Sequence, residues 1–354
     1  MEEPKNIRIV DIARMAGVSI GTVDRVLHNR GRVSDENLQK VNAVLAKVNY
    51  HPNIIARSLA SKRIYHLGVI IPKFTHGEYW EYISRGIDLA LSDFQQYHVE
   101  VDKRYFDQFN EESFRQTIQD IQLDQIDAVL IAPLFAKQTS DFSKMLDEQN
   151  IPYVYIDSDL ENEKRMSFVG TNSYAGGRIA ARLLSKNIRI DDSILMAQIK
   201  HYGVESTQAI KRQKGFVEYL KGSRYQGELH ATDLFLDDAA TNEKILDSIL
   251  YRYPQIKAAV IFNSKAYVIG EYLKKRNRTD ICLIGYDLIE RNELLLQDGY
   301  IEAVIAQHPR QQGYEGIRVL CDKLIFSKQP EEKVEMPLDI LIQENYQYYK
   351  HNKL

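Results

Sequence analysis

The sequence has little of what several large protein classes require. Its 354 residues include only two cysteines, Cys282 and Cys321, which are too few for a disulfide framework and favour a reducing cytosol. No stretch approaches the roughly 18 uninterrupted apolar residues of a membrane helix. The charged start MEEPKNIRIV lacks the apolar core of a secretory signal. The sequence therefore predicts a soluble cytoplasmic protein.

Signatures of catalysis and of metal binding are missing too. There is no G-x-S-x-G, P-loop, H-E-x-x-H or paired C-x-x-C motif. The glycines from Gly170 to Gly177 lack the G-x-G-x-x-G spacing of a dinucleotide site, and the nine histidines show no ligand spacing. Asp157 and Asp159 fit the binding of hydroxyl groups better than acid–base catalysis. We therefore expect no enzyme activity, no cofactor and no metal.

Net charge gives one answer for the whole chain and another for its parts. The total of −3 argues against a nucleic-acid partner. Residues 1–66, however, carry 11 Lys and Arg against 6 Asp and Glu, a net charge of +5, which leaves −8 for the remainder. A basic N-terminal segment on an acidic body suits local binding of phosphates.

Helical spacing in the first fifty residues predicts three helices in a helix-turn-helix plan. Gly17 suits the left-handed turn that ends the first helix, and Ser19 caps a second helix through about Leu27. Ser34 caps the third. The apolar face of the first helix is Ile9, Ile12, Ala13 and Ala16, and that of the third is Leu38, Val41, Val44, Leu45 and Val48.

The motifs DIARMAGVS, TVDRVL, VS, YHPN and ARSLASKR follow one another between residues 7 and 63. In this order they resemble the DNA-binding head of the lac repressor (LacI/GalR) family. The resemblance implies that Ser19 and Thr22 hold the phosphate backbone or the start of the recognition helix. Ile20 and Gly21 match base-reading positions, and Arg25 matches a base-contacting arginine. Further backbone contacts are expected from Arg8, Arg32 and Ser34.

Asp24 departs from the family pattern, which usually has serine there. An acidic side chain beside phosphates is repulsive. Asp24 therefore either pairs with Arg25 or His28 or accepts a hydrogen bond from a cytosine amino group.

Residues 53–63 resemble the family's hinge helix, which folds on DNA and pairs with its twin from a second subunit. Asn53 is suited to cap a short helix over Ile54–Ser61. Leu59 matches a leucine that is wedged into the minor groove, where it opens a base step. Arg57 and Lys62 match flanking positions that contact DNA.

Beyond residue 66, β-branched runs alternate with amphipathic segments such as Ile83–Phe94, Phe114–Leu123 and Gly313–Ile325. Repeated βαβ units of this kind build doubly wound parallel sheets, and the length favours two lobes. The fold class is therefore α/β, with an all-α helix-turn-helix head and a two-lobed body. The expected strands are Leu67–Pro72, Val99–Phe106, Ala128–Pro133, Tyr153–Asp157, Ser193–Ile199, Glu228–Leu236, Ala258–Asn263, Ile281–Asp287 and Ala303–Gln307.

Ligands of open sheets lie beyond the carboxyl ends of the strands, and here those ends carry aromatic, carboxylate and amide side chains. Segments such as LGVIIP, IDAVLIAP, FVGTNSYAGGRIAARLL and AVIAQHPRQQGYEGI resemble the periplasmic sugar-binding-protein fold, the effector domain of this family. Ser158 replaces an arginine frequent in sugar binders, and Ser264 replaces the usual aspartate. The expected effector-binding residues are Phe74, Tyr79, Trp80, Asp157, Asn172, Arg212, Asn263, Asp287 and Gln307.

The sequence thus predicts a transcriptional regulator, expected to be a repressor, that binds an inverted-repeat DNA operator as a homodimer under the control of a small sugar-like effector. The expected domains are a head (1–52), a hinge helix and linker (53–65) and a dimerising, effector-binding core (66–354). Lobe 1 would comprise about 66–170 and 304–328, and lobe 2 about 171–303 and 329–345. The alternatives are a sugar-binding or transport protein with a vestigial head and a carbohydrate enzyme.

Overall fold

A computed structural model describes residues 7–27, 31–48, 63–200 and 206–351. The chain divides into two compact units, residues 1–60 and residues 61–354. The predicted DNA contacts His28, Asn53, Arg57, Leu59 and Lys62 lie outside the described residues, as does the predicted hinge helix.

The described residues of the first unit form three helices: α1 (Ile9–Ala16), α2 (Ile20–Leu27) and α3 (Asp35–Lys47). Gly17 ends α1 with a φ of 64°, the left-handed turn for which glycine is suited. The Ser19 hydroxyl accepts a hydrogen bond from the Thr22 amide at 3.1 Å and so caps α2. Ser34 stands at the N-cap of α3 but makes no capping side-chain bond. The buried core of this unit comprises Ile12, Ala13, Ala16, Val23 and Val41.

The second unit is built on two six-stranded sheets. Sheet 1 has the order β11-β5-β4-β3-β1-β2, and all its pairs are parallel. Sheet 2 has the order β12-β10-β9-β8-β6-β7, in which β12 alone is antiparallel to its neighbour. The strands are β1 Tyr65–Pro72, β2 Val99–Phe106, β3 Ala128–Ile131, β4 Tyr153–Asp157, β5 Ser167–Gly170, β6 Ser193–Lys200, β7 Leu229–Phe235, β8 Ile256–Ile261, β9 Cys282–Tyr286, β10 Ala303–Ala306, β11 Lys333–Glu335 and β12 Asp339–Leu341.

Helices of this unit connect the strands of each sheet. In the described ranges, no helix is both long and apolar enough to cross a membrane. The helices are α4 Tyr79–Asp93, α5 Glu111–Gln119, α6 Ala136–Glu148, α7 Ser173–Asn187, α8 Thr207–Lys221, α9 Ala239–Arg252, α10 Tyr267–Lys275, α11 Glu290–Gln297, α12 Pro309–Phe326 and α13 Tyr346–His351.

The chain passes between the two sheets three times. It leaves sheet 1 after β5, returns after β10 through α12, which packs on β3, β4 and β5, and leaves again between β11 and β12. The expected lobe boundaries at 303/304 and 328/329 therefore require correction. β10 pairs with β9 in sheet 2, and β11 pairs with β5 in sheet 1.

The predicted α/β class is confirmed, and every predicted strand is present with small shifts at its ends. Three strands were not predicted: β5, β11 and β12 are only three or four residues long. The predicted helix Gly313–Ile325 begins earlier, at Pro309, because proline suits the first turn of a helix.

Candidate functional site

A cavity of about 420 Å³ lies where carboxyl ends of strands from both sheets meet. Seven of the nine predicted effector-binding residues line it: Tyr79, Trp80, Asp157, Arg212, Asn263, Asp287 and Gln307. Asp157 ends β4 and Asp287 follows β9, with φ values of 70° and 64°. Aspartate tolerates this left-handed conformation better than most residues, which fits its use at both strand ends.

Phe74 and Asn172 do not line this cavity. The Phe74 ring packs edge-on against Tyr105, with ring centroids 5.7 Å apart. The Asn172 side chain accepts a hydrogen bond from the Ala175 amide at 2.9 Å and caps α7. Following a strand is therefore not enough to direct a side chain into the cleft, because local packing and helix capping compete for it.

The sheet 1 side of the cavity centres on a buried tyrosine–carboxylate pair. The Tyr79 hydroxyl donates to Asp157 Oδ1 at 2.5 Å, and the Gln312 amide approaches the same hydroxyl at 3.4 Å. Burial raises the pKa of Asp157 and raises that of Tyr79 well above its ordinary value. Tyr79 therefore stays neutral and donates, which leaves Asp157 as the acceptor.

The sheet 2 side is organised by Arg212, which is only 2% exposed. Its guanidinium donates to the Phe262 carbonyl at 2.9 Å and to Gln307 Oε1, and it lies 4.1 Å from the centroid of the Tyr286 ring. Gln307 Nε2 donates in turn to Asp287 Oδ2 at 2.9 Å. This chain of bonds fixes the position of one oxygen of Asp287, while Oδ1 of the same carboxyl has no hydrogen-bond partner among the described residues.

Close helix packing sets the position of Arg212. A Cβ atom at Gly177 of α7 would lie 1.8 Å from the Arg212 carbonyl oxygen on α8, and one at Gly215 would lie 2.1 Å from the Tyr174 carbonyl oxygen. Only glycine permits this approach, so the two helix backbones are in contact. The arginine is thus presented to the cavity by a rigid helix pair.

Two residues of the cavity lining that connect the lobes were not predicted from the sequence. Gln208 Nε2 donates to the Asp157 carbonyl at 2.6 Å, and Lys265 Nζ donates to Glu78 Oε1 at 2.6 Å. Gln208 lies four residues before Arg212, and this helical spacing was a usable signal. Lys265 offered none, because its role depends on Glu78 of the other lobe.

In the first unit, α2 presents a polar exposed surface. Ser19, Gly21 and Arg25 are exposed, and the Ile20 side chain is 53% exposed although it is apolar. The Ser19 and Thr22 hydroxyls lie 2.9 Å apart. Of the remaining predicted DNA contacts, Arg8, Asp24, Arg32 and Ser34 are exposed as well.

The comparisons with known proteins match these two units separately. Residues 8–53 match the family described as "Bacterial regulatory proteins, lacI family", and residues 67–328 match "Periplasmic binding protein domain". A solved structure from Bacteroides fragilis, described as that of a LacI transcriptional regulator, is 35% identical and has a TM-score of 0.76. It aligns with 81% of this chain and 100% of its own. The chain belongs to the LacI family.

Relatives of this LacI-family protein include regulators of sugar operons. The ribose operon repressor of Bacillus subtilis (strain 168) is 28% identical over 339 residues, which cover 93% of this chain and 95% of that repressor. GanP, a glucose-galactose binding protein from Geobacillus stearothermophilus, has a TM-score of 0.68 at 18% identity, over 80% of this chain and 99% of its own. GanP supports the fold of the body alone.

The LacI-family protein is therefore a DNA-binding transcriptional regulator with a periplasmic-binding-protein-like effector domain. The alternative of a transport protein with a vestigial head is not favoured, because the head matches its family and the relatives are repressors. Within the described parts of the chain, no cluster of three or more His, Cys, Asp or Glu residues is arranged to hold a metal ion.

Stability of this protein should fall as the pH rises towards neutrality, because of Asp287. Burial raises the pKa of its carboxyl from 3.8 to about 7, so between these values the folded chain holds a proton that the unfolded chain has released. Asp287→Asn cannot ionise. We expect its stability relative to the parent chain to rise by about 2–3 kcal/mol between roughly pH 5 and pH 8.

Urea unfolding at the two pH values measures this difference. Asp88→Asn is the matched control, because the Asp88 side chain is 62% exposed. An equal pH dependence in the two variants would contradict the assignment to Asp287.

Proposed function

We propose that a small polyhydroxylated molecule of monosaccharide size, bound in the cavity between the sheets, controls how tightly the head binds its operator. The observation that carries this proposal is the cavity itself, whose volume of about 420 Å³ lies within the range of small-molecule sites. Tyr79, Trp80 and Phe109 offer aromatic surface for a sugar ring, while Asp287, Asn263 and Gln307 offer acceptors and donors for hydroxyls. Relatives named for ribose and sucrose operons support the same class.

The head is proposed to read DNA through α2. Arg25 would contact a guanine, and a bidentate contact of this kind contributes about 1–3 kcal/mol of discrimination. Ile20 would contact a thymine methyl, and Gly21 would allow close approach. Ser19 and Thr22, whose hydroxyls lie 2.9 Å apart at the start of α2, would hold phosphate oxygens.

We further propose a homodimer acting in the cytoplasm, in which two heads bind inverted half-sites. Effector binding changes the closure of the two lobes and thereby the fit of the paired heads to DNA. This is a coupling free energy of a few kcal/mol between two sites, so DNA must change effector affinity by the same factor.

Selection of bound fragments from a random double-stranded DNA library, followed by sequencing, tests this function. The expected result is enrichment of an inverted repeat, with its two half-sites about 10 base pairs or a multiple apart. Enrichment of single half-sites would contradict the dimer. Enrichment of no sequence, together with intact sugar binding, would instead support a binding protein with a vestigial head.

A further inference from the structure

The charged groups that line the cleft do not balance. The described lining residues include two carboxylates, Asp157 and Asp287, and two cations, Arg212 and Lys265. Lys265 is already paired with Glu78, its Nζ lying 2.6 Å from Glu78 Oε1. One guanidinium therefore remains for two carboxyl groups, and the described lining carries a surplus negative charge whenever both carboxyl groups are ionised.

Neither carboxylate forms an ion pair within the described chain. Asp157 accepts hydrogen bonds from the hydroxyls of Tyr79 at 2.5 Å and of Ser158 at 3.4 Å, and both donors are neutral. Asp287 accepts from the neutral Gln307 amide, and no hydrogen-bond partner for its Oδ1 lies in the part of the chain that the structure describes. The two residues are 4% and 2% exposed, so bulk water screens their charges weakly, and ionising either of them is costly without a charged partner.

Arg212, the remaining cation, does not form an ion pair with either carboxyl group. Arg212 donates to the Phe262 carbonyl and to Gln307 Oε1, which are neutral acceptors, and its guanidinium stacks on Tyr286. Its charge still acts on both carboxylates at longer range, but burial outweighs it and raises the pKa of each. A ligand that brings a positive charge would remove this imbalance.

We propose that the effector is an amine-bearing sugar, whose ammonium group binds at Asp157 and Asp287. The inference rests on the proposed function and narrows its ligand class. An ammonium group donates up to three hydrogen bonds, and bonds between charged partners are about twice as strong as those between neutral groups. For the same reason the cleft disfavours sugar phosphates and sugar acids, whose negative charge adds to the surplus.

Isothermal titration calorimetry of the full-length protein tests the proposal by comparing the affinities of matched sugar triplets. Each triplet shares one ring and differs in charge: glucose, glucosamine and glucuronate, and likewise galactose, galactosamine and galacturonate. At neutral pH we expect the amine of at least one triplet to bind at least tenfold more tightly than its neutral parent, and the acid to bind most weakly.

Variants of the two cleft aspartates test which groups are responsible for the preference for the amine. Asp287→Asn and Asp157→Asn should each reduce the preference for the amine at least fivefold, while Asp88→Asn on the surface should leave it unchanged. The two cleft variants provide independent readings if one of them folds poorly.

The outcomes separate the two proposals. Tighter binding of the neutral or acidic member in every triplet that binds would overturn the amine inference and leave a sugar-responsive regulator in place. Binding of no member at 10 mM, by a chain that still selects an operator, would instead overturn the proposed monosaccharide class.

Discussion

Replacing Arg212 with methionine should abolish effector binding and destabilise the body by about 3–5 kcal/mol, because two buried acceptors lose a charged donor. Methionine fills a similar volume but donates no hydrogen bond. The Phe262 carbonyl and Gln307 Oε1 would each lose a donor, and Asp157 and Asp287 would lose the cation that faces them. The cavity would then hold two buried carboxyl groups without that cation near them, and the pKa of each would rise further. Differential scanning calorimetry should show a melting temperature lower by about 5–15 °C.

Arg178→Met is the matched control for this variant. Arg178 also lies over tyrosine rings, those of Tyr174 and Tyr219, but it is exposed. Its replacement should cost less than about 1 kcal/mol. If the two variants were equally stable, Arg212 would not be the organising group of the cleft.

A double-mutant cycle refines this prediction. Combining Arg212→Met with Asp287→Asn removes a carboxylate together with the cation. The double variant should therefore be more stable than the sum of the two single changes implies, by about 1–2 kcal/mol. Strict additivity would show that the charges of the two residues do not interact.

Removing residues 1–62 should lower affinity for the operator by at least about a thousandfold, to the level of non-specific DNA, while leaving effector affinity unchanged. The deletion spares the body because β1 begins at Tyr65, where it pairs with Val99 of β2, and because the Arg63–Asp127 ion pair is kept. Fluorescence anisotropy with labelled operator, at fixed salt, measures the first effect, and calorimetry with the effector measures the second.

Arg25→Ala in the full-length chain is the comparison for this deletion. It should lower operator affinity by about 1–3 kcal/mol while leaving the body untouched. Retention of operator binding by the deleted chain would contradict the assignment of DNA recognition to the head.

Hydrophobic periodicity and the residues at strand ends predicted much of the fold and of the cavity lining. The three head helices follow from their apolar spacing and from Gly17, and Asp157, Asp287 and Gln307 follow from the rule that ligands lie beyond parallel strands. These features depend on neighbours in the sequence or on a general property of sheets. They could therefore be predicted from the sequence.

Contacts between segments that are far apart in the sequence could not be predicted from it. Lys265 meets Glu78 across 187 positions, and nothing local to either residue marks the pairing. β11 and β12 are too short to show an alternation, and their pairing is decided by the path of the chain between the sheets. Asn172, predicted to bind the effector, lies outside the lining of this cavity for the opposite reason, because a local capping bond engages its side chain directly after a strand.

Because the chain passes between the two sheets three times, the two lobes are not completed in the order in which they begin to be synthesised on the ribosome. Sheet 2 takes five of its six strands from one continuous stretch, β6 to β10. Sheet 1 begins to emerge first, but α12, which covers β3 and β4, and the edge strand β11 emerge only after that stretch. The surface of β3 and β4 that α12 covers therefore stays exposed in the nascent chain until the second lobe is nearly complete. We expect the chain to need protection by chaperones most during this interval.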